Sequence, residues 1–269
     1  MAEFDQPGEI GVAIVGYGSA SQVFHIPLLR TVPGLALRAI VTSRPEAVRA
    51  ALPQVRVLPD LSAACADAAI DLVILPTPNA THAALAAQAL AAGKHVVVDK
   101  PFTLTLAEAR GLIELAQARG RVVSVFQNRR WDADDRFHAL LRYDRLRVVL
   151  HASTLAAAPT PRFELHGMRG GYLKYGLDAQ EVALKAGGTP GAPDWGVDPR
   201  PGTLTTAAGA APMPNLAGDY RQYYLALRDA IRGHGPNPVP ADEALAVMTV
   251  LERGRQSDEA RRELPLDQG

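Results

Sequence analysis

Six short apolar runs alternate with helical patterns between residue 10 and about residue 127. The runs read IGVAIV, LALRAIV, VRVL, DLVIL, KHVVVD and RVVSVF. Most of them lack polar residues at alternate positions, which indicates that both faces of each strand are buried. Such strands belong to a parallel sheet between two layers of helices, so the pattern predicts a doubly wound α/β domain with right-handed crossovers.

Capping signals mark the ends of the intervening helices. Thr105 and Glu108 have the spacing of a capping box, at the start of a helix that runs to about Ala118. Gly93 and Gly120 directly follow two helical stretches, where a residue in the left-handed conformation often ends a helix.

The pattern changes after Trp131. RFHALLRY and LRVVLHASTLA are separated by Asp-Arg, and RFELHG and GYLKYG flank MRG, which predicts hairpins of a mostly antiparallel sheet. Residues 186–215 are rich in glycine, proline and alanine, which predicts a long surface loop, with one edge strand as an open alternative. AGDYRQYYLALRDAIRG and ADEALAVMTVLERGRQS predict two closing amphipathic helices. The sequence thus predicts a dinucleotide-binding domain, 1–131, and a reduced α+β domain, 132–269.

Composition narrows the range of partners. The 269 residues are 48% hydrophobic and 21% charged, which is typical of a soluble globular protein, and the formal net charge of zero argues against nucleic acid as a partner. The single cysteine excludes an intramolecular disulfide, and no spacing suggests a metal site. The polar start lacks a signal peptide, and no apolar run reaches the ~18–20 residues that span a bilayer, so we expect a cytoplasmic protein with no membrane contact.

A glycine-rich loop follows the first apolar run. In VAIVGYGSAS, Gly16 and Gly18 supply Gly-x-Gly, and Ser21 stands where a third small residue is expected. The first glycine makes the tight turn, and the second lets the backbone approach a pyrophosphate at a helix N-terminus. The alternative is a structural turn without a ligand. The position of the glycine loop after the first strand favours dinucleotide binding, and Ser19 and Ala20 lie in the same loop.

The end of the second run bears on the choice of cofactor. An NAD site normally has Asp or Glu here for the ribose hydroxyls, but this chain has Ser43 and Arg44. A hydroxyl and a guanidinium suit a 2′-phosphate, so we expect NADP, with NAD as the second choice. The alternative is a solvated surface pair.

Several motifs together resemble one family of oxidoreductases. The glycine loop, LPTPNATH, GKHVVVDKPFTLTLAEA, SVFQNRRWD, HGMRGGYLKYGLDAQE and NPVPADEALAVM are similar to the Gfo/Idh/MocA family, and to its NADP-dependent scyllo-inositol dehydrogenase branch in particular. The resemblance implies a Rossmann domain followed by an α+β domain whose open sheet face is covered by a second subunit. It also implies hydride transfer to or from a polyol, sugar or related hydroxy compound.

The resemblance also implies the residues of the site. Lys100, in Asp99-Lys100-Pro101, would contact the reacting hydroxyl beside the nicotinamide, as the catalytic residue. The remaining cofactor-binding residues implied by these motifs are Thr77, Pro78, Asn79, His82, Asp99, Pro101 and Asn128. For His82 the alternative is a residue at a helix start that bonds to backbone, and for Lys100 it is a surface lysine.

One part of the family pattern is missing. Family members follow RRWD with a helix, a long strand and a glycine-rich turn leading to an Asp-x-x-x-His helix, which provides acid–base groups. Here RRWDAD runs almost directly into DRFHALLRY, a departure of about seventy residues from a full two-domain member. Asp134 and His138 repeat the Asp-x-x-x-His spacing, which leaves open that they replace the missing pair. They lie in a predicted strand, however, and a solvated strand face is the favoured interpretation.

Two functions therefore stay open. The first is an NADP-dependent dehydrogenase, impaired because loss of acid–base help costs about 10²–10⁴-fold in rate. The second is a non-catalytic or weakly active NADP(H)-binding relative. An internal deletion of an otherwise normal enzyme would have the same sequence.

Overall fold

A six-stranded parallel sheet forms the centre of the N-terminal part. The computed structural model describes residues 8–127, 136–153, 157–176 and 178–266. The strands are β1 (Ile10–Val15), β2 (Leu35–Val41), β3 (Arg56–Leu58), β4 (Leu72–Leu75), β5 (His95–Val98) and β6 (Val123–Val125). They pair in parallel in the order β3-β2-β1-β4-β5-β6, so the strand order reverses between β1 and β4. All six predicted runs and the doubly wound topology are confirmed.

Helices connect these strands. They are α1 (Ile26–Leu29), preceded by a π-helical turn (Ser21–His25), α2 (Pro45–Ala51), α3 (Leu61–Ala66), α4 (His82–Ala91) and α5 (Leu106–Arg119).

The predicted capping box is present at the start of α5, where Thr105 and Glu108 bond to each other's backbone N–H. Gly120 ends α5 with φ of +58°, and Gly93 has φ of +78°. Both glycines therefore adopt the left-handed conformation that the sequence predicted.

Two C-terminal helices cover opposite faces of this sheet. They are α7 (Arg221–Ile231) and α8 (Ala241–Ala260). Tyr224 and Leu227 of α7 are fully buried in one apolar cluster with Ile14 of β1. Ala241 and Ala244 of α8 belong to the cluster on the other face. A parallel sheet needs helices on both faces, and these two helices complete both layers.

The compact units divide the chain differently from the sequence-based boundary at residue 131. One unit comprises Met1–Asn128 together with Tyr220–Gly269, and the other comprises Arg129–Asp219. The first division between the units, after residue 128, lies close to the predicted domain boundary at residue 131. The closing helices, however, pack in the Rossmann unit rather than in the second domain, because their apolar faces fill the two clusters beside the parallel sheet.

The second unit contains two antiparallel sheets. Strands β7 (Arg136–Tyr143) and β8 (Leu146–Ser153) form a hairpin around Asp144, which has φ of +37°. The other sheet has the order β12-β11-β10-β9, from β9 (Phe163–Gly167), β10 (Gly170–Lys174), β11 (Gly202–Thr206) and β12 (Gly209–Met213). The predicted hairpins and the antiparallel sheet are confirmed.

The interpretation of residues 186–215 was wrong in part, because β11 and β12 are two strands rather than one. A short helix, α6 (Gln180–Lys185), was also missed. The cause lies in contacts distant in sequence. Lys174 Nζ, at the end of β10, donates to Asp198 Oδ2 at 2.6 Å and to the Arg200 carbonyl at 2.7 Å. These bonds hold the chain beside β10 just before β11 begins, although GTLTTAAGAAPM lacks an apolar strand pattern.

Candidate functional site

The glycine loop lies at the carboxyl end of β1. Gly16 has φ of +104°, and its N–H donates to the Val41 carbonyl at 2.7 Å. Ser21 Oγ donates to the Gly16 carbonyl at 2.9 Å, which holds the turn against the following helix. At Gly18 an added Cβ would meet no described atom within 4 Å. The second glycine therefore faces open space, which leaves room for a ligand beside the backbone.

The helix after this loop begins with residues that the sequence assigned to the cofactor. Ser19 is exposed and Ala20 is half-buried, and both are helical. The N–H of Gln22 donates to the Gly18 carbonyl at 3.1 Å, so the first helical turn closes directly on the glycine loop. Backbone N–H groups in such a first turn can hold a phosphate.

The end of β2 places a cation beside the same loop. Ser43 and Arg44 are both exposed. Arg44 Nη2 donates to the Tyr17 carbonyl at 2.6 Å, and the Arg44 N–H donates to Thr42 Oγ1 at 3.0 Å. The guanidinium therefore lies at the glycine loop, while its other N–H groups can still bind an anion.

The loop after β4 contains the next predicted group. Thr77 is half-buried, and Pro78 and Asn79 are exposed. Thr81 Oγ1 bonds to Thr77 Oγ1 at 2.9 Å and donates to the Pro78 carbonyl at 2.7 Å. These bonds make a tight turn, so the exposed side of the loop has a defined shape.

His82 connects this loop to the next one. Its side chain is fully buried, with Nδ1 2.8 Å from the Pro101 carbonyl and Nε2 2.9 Å from the Thr77 carbonyl. Both ring nitrogens are thus engaged with backbone, as in the backbone-bonding alternative for this residue. The side chain has no exposed surface with which to contact a cofactor, so its effect on the site comes through the two loops that it joins.

The turn after β5 contains the Asp-Lys-Pro motif. Asp99 and Lys100 are half-buried, and the Lys100–Pro101 peptide bond is cis. Asp99 Oδ1 accepts from the Lys100 N–H at 2.9 Å. The aspartate thereby fixes the backbone at the base of Lys100.

A buried polar cluster that the sequence did not reveal lies behind this turn. His25 Nε2 is 3.7 Å from Asp99 Oδ2, and His25 Nδ1 is 2.5 Å from the Tyr224 hydroxyl. His25 and Tyr224 are both fully buried, and the Phe126 ring lies 4.5 Å from the imidazole between centroids. The only signal was a polar residue within each apolar helical stretch, in QVFHIPLL and RQYYLALRDA.

The electrostatics of the cluster favour an ionised aspartate. Burial by itself raises the pKa of Asp99, but the nearby His25 side chain, the Lys100 N–H and the charge of His82 together lower it below its usual range. Burial raises the pKa of Tyr224 well above its ordinary value, and the neighbouring Tyr223 and Asp99 raise it further. The tyrosine therefore keeps its hydroxyl proton.

Most of the predicted residues meet at one edge of the parallel sheet. The glycine loop, Arg44, the Thr77 turn and Lys100 follow β1, β2, β4 and β5, and the carboxyl ends of parallel strands share an edge. Asn128 and Asp134 lie outside the described residues. His138 lies in β7, where it is exposed and faces His151 with ring centroids 5.6 Å apart. This segment is a strand, as predicted.

The geometry fits a dinucleotide. A positive-φ glycine makes the turn, the second glycine leaves the backbone open, and a helix starts immediately afterwards. An exposed guanidinium stands beside the loop, and a half-buried lysine lies on the turn after β5, at the same edge of the sheet. These are the features with which an α/β sheet binds a pyrophosphate and an adjacent anion.

Two family models match the chain. An oxidoreductase family described as having an NAD-binding Rossmann fold, Gfo/Idh/MocA, matches residues 10–127. The C-terminal alpha/beta domain of the same oxidoreductase family matches residues 74–266.

Individual proteins are similar over nearly the whole chain. The oxidoreductase YdgJ of Escherichia coli is 38% identical over 341 residues, covering 96% of this chain and 99% of YdgJ. IolW of Bacillus subtilis, a scyllo-inositol 2-dehydrogenase (NADP(+)), is 29% identical over 344 residues, covering 96% of each. The crystal structure of an oxidoreductase from Klebsiella pneumoniae has a TM-score of 0.92 and 37% identity, covering 97% of this chain and 96% of that one.

Proposed function

The chain belongs to the Gfo/Idh/MocA family of oxidoreductases, and on that basis we propose that it transfers hydride between NADP(H) and a carbinol carbon of a polyol, sugar or related hydroxy compound. The observation that carries the proposal is the meeting of the open glycine loop, Arg44 and the Asp99-Lys100-Pro101 turn at one sheet edge. NADP(H), when bound, supplies or accepts the hydride.

The proposed roles follow the positions of the residues. The backbone of Gly16, Gly18, Ser19 and Ala20 holds the pyrophosphate, and Ser43 and Arg44 hold the 2′-phosphate. Thr77, Pro78 and Asn79 line the cofactor, and the family resemblance adds Asn128 to the cofactor-binding residues. Lys100 donates hydrogen bonds to the oxygen that changes between hydroxyl and carbonyl. His82, Asp99 and Pro101 set the shape of the turns that present these groups.

The preference for NADP gives the first prediction. Arg44→Ala should weaken NADPH binding by about 1.5–3 kcal/mol and change NADH binding little, because the guanidinium makes a charge-assisted bond with the 2′-phosphate alone. Calorimetric titration of both cofactors measures the two effects. Arg49→Ala is the matched control, since Arg49 is an exposed arginine in α2, paired with Glu46 on the same helix. Equal wild-type affinities for NADPH and NADH would contradict the proposed preference.

A non-catalytic or weakly active NADP(H)-binding protein is the second candidate. The observation that favours it is the sequence after Asp132, where RRWDAD runs almost directly into DRFHALLRY. The family resemblance implies an Asp-x-x-x-His helix at this point of the chain. Without it, Lys100 keeps its contact with the reacting oxygen, but the proton acceptor and part of the substrate wall are missing.

One assay separates the two candidates. Purified protein is tested against inositols, common sugars and their keto forms, and the absorbance of the reduced cofactor is followed. We expect tight NADPH binding with slow turnover, because the cofactor residues all lie on the intact Rossmann unit. Binding with no turnover on any substrate would leave the NADP(H)-binding protein as the function, and absence of binding would refute both.

We further propose that the protein is a cytoplasmic homo-oligomer. None of the helices in the described parts of the chain is long and apolar enough to cross a membrane. Leu140 and Val149 are paired across β7 and β8 and are 64% and 55% exposed, and Phe163 and Leu165 are exposed on one face of β9. Apolar strand faces of this kind favour cover by a second copy. Sedimentation velocity should give a dimer or larger species at tens of micromolar, whereas a monomer alone would refute the assembly.

A further inference from the structure

A histidine and a tyrosine from distant parts of the chain converge on the aspartate of the Asp-Lys-Pro turn. His25 comes from the helix after the glycine loop, and Tyr224 comes from α7, 199 residues further along the chain. Resting on the function proposed above, we propose that His25 and Tyr224 are positioning residues that orient the Asp99 carboxylate, and through it the backbone of Lys100.

The hydrogen-bond donors and acceptors of the cluster define a direction. The atom of His25 that faces the Asp99 carboxylate is Nε2, 3.7 Å from Oδ2, so the tautomer with its N–H on Nε2 suits this place. In that tautomer Nδ1 accepts from the Tyr224 hydroxyl at 2.5 Å, and the buried tyrosine keeps the proton that it donates. The other carboxylate oxygen, Oδ1, accepts from the Lys100 N–H at 2.9 Å. The chain of contacts thus runs from α7 to the lysine.

Aromatic rings fix the plane of the imidazole. Phe126 lies 4.5 Å from His25 between centroids, and Tyr224 lies at 6.3 Å in an edge orientation. Tyr223 packs edge-on against both Phe126 and Tyr224, at 5.2 Å from each. The histidine therefore has little freedom to turn away from Asp99.

The unsatisfied Nε2 of His25 argues that this residue does more than fill the core. Within the described parts of the chain, His25 Nε2 is buried without a hydrogen-bond partner, and its nearest charged atom is Asp99 Oδ2. Burying a donor without a partner is unfavourable, whereas an apolar side chain at this place would carry no such cost. A short movement of Asp99 toward His25 would satisfy both groups, so the histidine limits where the carboxylate can lie.

The charge state of Asp99 gives the proposal a direct readout. The groups that face Asp99 are His25 beside the glycine loop, the Lys100 N–H, His82 of α4, and Tyr223 and Tyr224 of α7. Because the nearby His25 side chain lowers the pKa of Asp99, removing the imidazole should move the titration of this carboxyl to higher pH. Carbon-detected NMR follows that titration without any substrate, with Asp99→Asn used to assign the signal.

The variants are chosen to separate positioning from packing. Tyr224→Phe removes the hydroxyl that orients His25 and keeps the ring. Tyr223→Phe is the matched control, since it removes a buried hydroxyl from the neighbouring residue, where the partner is Ser124 Oγ at 2.9 Å. His25→Leu removes the imidazole, and His25→Gln keeps a donor at the same place if the leucine variant folds poorly.

We expect Tyr224→Phe to lower kcat by about 10- to 100-fold with unchanged NADPH affinity, because a small misplacement of the reacting group is costly. Tyr223→Phe should leave kcat close to wild type. In His25→Leu the Asp99 titration should move to higher pH, and His25→Gln should restore part of the shift.

Failure of this inference can be distinguished from failure of the proposed function. If no substrate is turned over but the Asp99 titration moves in His25→Leu, the positioning proposal stands and the dehydrogenase does not. If Asp99 titrates alike in wild type and in both His25 variants, the positioning proposal is overturned. Equal losses of kcat in Tyr224→Phe and Tyr223→Phe would also overturn it, since they would indicate packing alone.

Discussion

Replacing Lys100 by alanine should lower turnover by about 100- to 1,000-fold, because one preorganised donor at the reacting oxygen contributes on this scale. NADPH affinity should change little, since the phosphate-binding groups lie on the glycine loop and at Arg44. Stopped-flow absorbance of the reduced cofactor measures turnover, and calorimetry measures binding. The prediction concerns whichever polyol or sugar gives the highest wild-type rate.

Three further variants interpret that result. Lys185→Ala should behave as wild type, because Lys185 is an exposed lysine paired with Glu181 in α6. Lys100→Arg keeps the positive charge but changes the geometry of the donors, so substantial recovery would indicate that charge alone is needed. Wild-type turnover in Lys100→Ala would refute the proposed role. A sharp fall in His138→Ala would instead assign the proton transfer to the histidine on β7.

Leu227→Ala should destabilise the Rossmann unit by about 2–5 kcal/mol, the range for a leucine removed from a packed core. Leu227 lies in α7, is fully buried, and shares its cluster with Ile14 and Ile74 of the parallel sheet. Hydrogen exchange of the β1 and β4 amides reports the unfolding of this unit directly. Those amides should exchange faster in the variant by the corresponding factor.

The matched control is Leu251→Ala in α8, where the side chain is 45% exposed. Its effect should be well under half that of Leu227→Ala, because little apolar surface is buried there. If exchange in β1 and β4 were unaffected by Leu227→Ala, α7 would not contribute to the core of the Rossmann unit. The sequence-based boundary, which assigns α7 to the second domain, would then be the better description.

The parts of the site that sequence could predict are local. Gly16 takes φ of +104° because the chain must turn sharply after β1, and the Gly-x-Gly spacing predicts that turn. Arg44 follows a strand whose apolar run is evident, so its place beside the glycine loop follows from the order of β1 and β2. The motif at Lys100 was identified through resemblance to a family, since a lysine after a strand has no local signature of its own.

The parts that sequence missed depend on side chains brought together from afar. His25 and Tyr224 read as polar interruptions of two apolar helices, and each interruption taken alone is ordinary. Only their burial against Asp99 gives them a common function. His82 illustrates the same limit. Its position left a cofactor contact and a bond to backbone both open, and only the structure shows that its ring joins the backbones of Thr77 and Pro101.

The sequence by itself determined the α/β alternation, the strands of the parallel sheet and the turns at Gly16, Gly93 and Gly120, because these follow from burial pattern and backbone sterics within a few residues. Only the tertiary structure decided that α7 and α8 cover opposite faces of that sheet and that β11 and β12 are strands. Amphipathic helices specify a buried side but no partner, and a strand of small residues forms where a neighbour such as β10 offers its hydrogen bonds.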